Sequence, residues 1–139
     1  MVRVELEWMK FSNWKEVLDN EEGKYEFPCV YVIADSDMEP LYIGKASQER
    51  REKNGRMYAG GLRARYYHDW TVLDACMEGS GKSVFIAKVA KGQALKIEKQ
   101  LIYENRPKYN TNQKKNAPDV LLDLVHKGVS LNFKNSINR

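Results

Sequence analysis

Apolar and polar positions alternate most clearly between Cys29 and Ala46. CVYVIA (29–34) and LYIGKA (41–46) are short runs of strand-forming residues around the turn-forming DSDMEP, whose Pro40 lacks an amide and suits a strand's first residue. The pattern predicts a β-hairpin. With the turn centred between Ser36 and Asp37, Tyr31 falls opposite Tyr42. Because side chains alternate between faces, Val30, Val32, Leu41 and Ile43 make one apolar face, while Tyr31, Tyr42 and Gly44 share the other. That second face reads either as an aromatic pair that stabilises the sheet or as a site.

Ser12 followed by NWKEVLDN predicts a short capped helix with Trp14, Val17 and Leu18 on one side. Residues 46–61 are polar, basic and broken by glycine, which predicts a loop with some helical character. Leu62 to Trp70 reads as a helix and Thr71 to Met77 as a second or its continuation. A third strand follows at Lys82 to Ala90, then a strong helix from Gln93 to Asn105, ended before Pro107. Asn110 to Asn116 reads as a polar loop, Pro118 to His126 as a final helix, and the tail to Arg139 as irregular. GSGKS at 79–83 ends like a phosphate-binding loop, but Cys76 stands where its first glycine belongs, and the order is helix, loop, strand. A phosphate-binding loop needs strand, loop, helix, so this is a turn.

At 139 residues, without a repeat or linker, the chain reads as one domain over 1–139. No stretch approaches the apolar length of a membrane span, and the amino terminus lacks the basic-then-apolar order of a signal peptide. Cys29 and Cys76 are isolated, which argues against zinc sites and predicts two buried thiols in a reducing, cytoplasmic setting. The net charge of +4 hides an asymmetry: residues 1–39, an acidic arm, hold four Lys/Arg against ten Asp/Glu, and the remaining hundred stand at +10. Lys45 to Arg65 holds seven Lys/Arg and two Glu, and Arg106 to Lys115 four with no acid. Such clustering suits a polyanion.

Glu98 is the sharpest anomaly. It lies three or four residues from Ala94, Leu95, Leu101 and Ile102, in the middle of its helix's apolar stripe. A carboxylate buried there becomes protonated or finds a cation or donor. A buried Arg–Glu bridge and a bound metal ion both satisfy the spacing. Arg65, with Leu62, Tyr66 and Asp69 on one helix face, points a guanidinium toward the sheet and is one such partner. The tyrosines, Lys45, an inward Arg and an inward Glu are also what phosphodiester cleavage requires.

Val30-Tyr31 and Tyr42-Ile43-Gly44-Lys45-Ala46, Leu62-x-x-Arg65, Ile97-Glu98-x-x-Leu101-Ile102 and Arg106-Pro107-Lys108-Tyr109-Asn110 together resemble the GIY-YIG nuclease superfamily, in the last two blocks its excision-repair members especially. The resemblance covers about residues 28–110, with the blocks in the right order. It implies an α+β fold, a small three-stranded antiparallel sheet flanked by helices. It also implies metal-dependent hydrolysis of nucleic-acid phosphodiesters, most naturally in DNA, with one Mg2+ or Mn2+ ion per site. By the resemblance, Tyr31 and Tyr42 are the signature tyrosines, Lys45 the lysine beside them, Arg65 the phosphate-binding arginine and Glu98 the sole protein metal ligand. Asn110 supports the tyrosine network from the loop after the helix. Lys45 and the cation are expected to lower a phenol's pKa so that a tyrosine, Tyr31 first, takes the proton of the attacking water.

Two positions depart from the family pattern. Cys29 replaces the first glycine of the signature, and Asp69 stands where a His or Tyr is common, with Tyr66, Tyr67 and His68 beside it. In the lengthened connection before the arginine helix, Arg50, Arg51, Lys53, Arg56 and Tyr58 read either as DNA contacts or as a solvated loop. Lys108, Lys114 and Lys115 join the expected nucleic-acid surface. The rival classes are a binding module that kept the fold and lost turnover, and a purely structural domain. One site cuts one strand, so a double-strand cutter needs a dimer or two visits.

Overall fold

The computed structural model describes residues 1–20, 27–46, 49–51, 57–59, 61–111, 116–128 and 130–134. Within them the chain runs β1 (Arg3–Glu7), β2 (Met9–Phe11), α1 (Trp14–Asp19), β3 (Cys29–Ala34), β4 (Pro40–Ala46), β5 (Glu49–Arg51) and β6 (Met57–Ala59). It continues through α2 (Gly61–Cys76), β7 (Ser83–Lys88), α3 (Ala94–Asn105) and β8 (Asp123–Lys127).

The expected three-stranded sheet is overturned. The main sheet has four antiparallel strands in the order β2-β7-β3-β4, and β1 and β8 form a separate parallel pair. The fold remains a mixture of α and β. The three added strands come from a segment without a predicted element and from one predicted as a helix. The acidic arm supplies β1 and β2, and the expected final helix at 118–126 is replaced by β8, whose Asp123 to Lys127 pair with Arg3 to Glu7. A short apolar run such as VLLDLV satisfies a helical and an extended pattern equally, and here the open edge of β1 decides. In the 46–61 connection the described residues 49–51 and 57–59 pair as a third small sheet, β5–β6, where a loop with some helical character was expected.

β3 is buried along its whole length because both faces of the main sheet are covered. On one face Val30, Val32, Ala34 and Ile43 pack with Leu6, Trp8 and Phe85 beneath Ile97, Leu101 and Ile102 of α3. On the other, Tyr31, Ile33 and Val84 pack with Phe11, Trp14 and Val17 beneath Leu62, Leu73 and Cys76 of α2. The acidic arm is therefore part of both cores, each fully buried aliphatic side chain being worth about 1.5–3 kcal/mol. In α1 the cap is Asn13, whose side chain accepts from the Glu16 amide, one residue after the expected Ser12; Trp14, Val17 and Leu18 are buried as the spacing predicts. Cys29 and Cys76 are buried free thiols. The GSGKS segment is the expected turn between α2 and β7, with Gly79 and Gly81 at positive φ and Lys82 folded back to donate to the Glu78 carbonyl. Among the described residues no helix is long and apolar enough to cross a membrane.

The β3–β4 register differs from expectation. Tyr31 faces Gly44 and Tyr42 faces Ile33. Asp35 widens the turn by one residue: its Oδ1 accepts from the amides of Asp37 and Glu39, with Met38 in the left-handed region at φ 64°. An irregularity after Ile33, where Ala34 pairs with Pro40, adds a second. One slip would flip every side chain, but two restore the faces, so Tyr31, Tyr42 and Gly44 remain together.

Candidate functional site

β4 ends the main sheet, and the candidate residues converge on its outer edge from both faces. Tyr31 lies across Gly44: a Cβ there would collide with Cζ and the hydroxyl of Tyr31, so only glycine admits the ring. The Tyr31 and Tyr42 rings stack with centroids 6.3 Å apart, and Trp14 of α1 meets Tyr31 edge-on at 5.4 Å. Tyr31 is 1 % exposed, whereas Tyr42 is partly open. Among the described residues neither hydroxyl has a hydrogen-bond partner.

Arg65 reaches this edge from α2. Its Nε donates to the Lys45 carbonyl at 3.1 Å and its Nη1 to Asp69 Oδ2 at 3.0 Å. Glu98 arrives from α3 on the opposite face, where alternation also puts the side chain of Lys45. Lys45 and Arg65 both lie close enough to act electrostatically on Glu98, and Glu98 in turn acts on both tyrosines. The two helices thus clasp the β4 edge. Tyr31, Tyr42 and Arg65 share one face of that edge, and Glu98, rooted with the Lys45 side chain on the other, reaches them only electrostatically.

Glu98 is 8 % exposed, as its place in the apolar stripe predicts. Arg65 pairs with Asp69, not with Glu98, and among the described residues Glu98 has no hydrogen bond or salt bridge. Burial raises its pKa, and the positive charges of Lys45 and Arg65 offset this only in part. Beside it lies a cleft of about 160 Å³ lined by Leu95, Glu98, Lys99, Ile102 and Asn116. Burial, then the neighbouring Tyr42, raises the Tyr31 phenol well above its ordinary value, and burial raises Tyr42 likewise. Lys45 is not among the charges that act on Tyr31, and in the protein alone burial outweighs the one that lowers its pKa, Arg65. In the protein alone both phenols are hydrogen-bond donors at neutral pH.

Asn110 does not reach the tyrosine hydroxyls. Its carboxamide accepts from the Ile43 amide at 2.8 Å and donates to the Ile43 carbonyl at 2.9 Å, as a neighbouring strand would, while the Tyr109 amide donates to the Leu41 carbonyl. It therefore holds the backbone on which Tyr42 and Gly44 stand. Lys108 is exposed, its Nζ 5.4 Å from the centre of the Tyr109 ring. Arg50 and Arg51 occupy β5, opposite Tyr58 and Met57. Lys53, Arg56, Lys114 and Lys115 lie outside the described residues.

Sequence reasoning missed Asp69 as a partner and Trp14 as a site neighbour. Asp69 is four residues after Arg65, a spacing that itself signals an ion pair, although Glu98 offers the same guanidinium a second carboxylate. Trp14 left no signal, since only folding brings α1 against β3. Comparison with protein-family models, curated proteins and solved structures finds no match.

Proposed function

We propose that this chain is a metal-dependent endonuclease that hydrolyses phosphodiester bonds in nucleic acid, with DNA the favoured substrate, in the manner of the GIY-YIG enzymes it resembles. The observation that carries the reading is Glu98: a buried carboxylate without an ion-pair partner among the described residues, beside a guanidinium, an ammonium and two phenols. A structural carboxylate at this depth needs a bridge, and the nearest arginine is committed to Asp69.

The donor set fits a hard divalent ion. Among the described residues no three metal-ligating side chains cluster, so a cage built wholly from protein is not offered. A single carboxylate suits Mg2+ or Mn2+, which keep water and phosphate oxygens as most of their ligands. Bound to Glu98 and to substrate, such an ion supplies Lewis acidity to a phosphate oxygen. The protein's own residues do the rest. Arg65, oriented by its bonds to Lys45 and Asp69, has further N–H groups to donate to the phosphate oxygens, on which negative charge develops. Lys45 adds fixed positive charge. Tyr42, the more open phenol, donates a hydrogen bond to a phosphate or water oxygen, and Tyr31 braces it from below. The basic β5–β6 connection and the lysines at 108, 114 and 115 supply sequence-independent phosphate contacts.

The test is a cleavage screen over duplex, nicked, branched and single-stranded substrates with Mg2+, Mn2+ or EDTA. Wild-type protein cuts at least one substrate only with metal, and Glu98→Ala lowers the rate by at least about 100-fold while DNA affinity stays near wild type. If both proteins bind alike and neither cuts, the chain is a binding module with this fold.

A further inference from the structure

Helix α2 breaks at Asp69, where φ is −115° and ψ 19°, although residues 62–76 contain neither proline nor glycine. Adjacent side chains on a regular helix diverge by about 100° and do not meet. Here they do: His68 Nδ1 and Asp69 Oδ1 are 2.9 Å apart, while the other oxygen of the same carboxylate holds Arg65 at 3.0 Å. One carboxylate thus ties an imidazole to the arginine of the site. A break without a sequence cause that brings two chemically complementary groups together marks a constrained functional position.

We infer that His68, oriented by Asp69, is the general base of the site, taking the proton of the attacking water on Nε2. This rests on the nuclease reading. Three observations support it. Burial works to raise the Asp69 pKa, but the bonds from His68 and Arg65 outweigh it, and the carboxyl lies below its ordinary value, so it accepts the Nδ1 proton and leaves the Nε2 lone pair free. The His68 side chain is 69 % exposed, open to substrate and water. The two phenols, raised by burial, are held protonated, whereas the imidazole offers an exposed ring nitrogen as acceptor.

The groups stand in the order Glu98, Arg65, Asp69, His68, Arg65 acting on Glu98 at one end and bonding Asp69 at the other. In this reading the scissile phosphate binds Arg65 and the attacking water binds the imidazole. Water loses a proton to Nε2 as its oxygen forms the new P–O bond. The P–O bond to the leaving group breaks, solvent protonates the departing alkoxide, and the imidazolium returns its proton to solvent. Among the described residues the charged groups that face His68 are Asp69 in contact and Arg65 beyond it on the same carboxylate.

The experiment is the pH profile of cleavage, on the substrate found in the screen, for wild type, His68→Gln and His68→Ala. Wild-type kcat/KM falls on the acid side of its profile, where the base is lost to protonation. His68→Gln lowers kcat by about 10²–10⁴-fold, leaves KM nearly unchanged and removes that acid limb. Added imidazole restores part of the His68→Ala rate, which a merely structural role would not allow. His126, the other histidine of the chain, accepts a hydrogen bond from the Trp8 indole N–H against the opposite core and serves as the control: His126→Gln keeps the limb. An unchanged rate and limb in His68→Gln, with Glu98→Ala inactive, overturns this inference and leaves the nuclease reading standing. Wild-type protein that cuts nothing overturns both.

Discussion

Glu98 occupies a position where leucine would pack against Ile102 and Leu101 without any charge to hold. Its carboxyl pKa is raised by burial, so the folded state prefers the protonated form. For such a group the favourable contribution is fully present below the unfolded pKa of about 4.3 and is lost as pH rises through the folded value. At neutral pH the ionised carboxylate therefore detracts from stability. Glu98→Gln is expected to raise the melting temperature at pH 7 while abolishing cleavage, and the difference should vanish near pH 4; thermal scans at the two pH values decide. Mg2+ should raise the wild-type midpoint and leave the variant's unchanged. Gly44 shows the same logic in steric form. Its missing Cβ is the space that the Tyr31 ring fills, so a residue that looks like a mere turn remnant is required by the one opposite it.

Among the elements, β4 matters most, because it is an outer strand that carries Tyr42, Gly44 and Lys45. Outer strands expose unpaired amides and carbonyls, and here the Asn110 side chain satisfies both polar groups of Ile43. Asn110→Ala leaves that buried pair without partners and should cost about 1–3 kcal/mol in denaturant unfolding. Cleavage should fall as well, since Tyr42 and Gly44 flank the released residue. The helices flanking β4 were more legible than its register. The four-residue spacing that puts Glu98 in the stripe of α3 lies within one helix and is observed, whereas the Arg65–Asp69 pair, at the same spacing, was missed and ends at the break in α2. The register of the hairpin depended on a side chain, Asp35, bonding two amides of its own turn, which alternation alone does not reveal. The face of the tyrosines survived because the error was two residues, an even number.

At the scale of the molecule, the charge asymmetry acquires a location. The acidic residues 1–39 build strands and a helix of both cores, and the basic connection at 46–61 leaves the end of β4 as a hairpin paired, among the described residues, only with itself. Replacing Arg50, Arg51, Lys53 and Arg56 with Ala should weaken DNA binding and flatten its dependence on salt, by about one unit of slope per lost phosphate contact, with little change in turnover at saturating DNA. An unchanged slope would move the binding surface to Arg106 through Lys115. What the sequence determined by itself is local: the hairpin, the two long helices, the buried thiols and the inward Glu98, all encoded in spacings of a few residues. The tertiary structure alone decided that RVELE runs beside DLVHK in parallel across about 120 residues, since either segment satisfies its own alternation without naming a partner. It also decided which acid Arg65 takes, which phenol lies buried, and that the break at Asp69 turns His68 toward a carboxylate. These outcomes depend on packing between elements distant along the chain, and on a backbone break within α2, and neither kind of contact leaves a periodic trace in the order of residues.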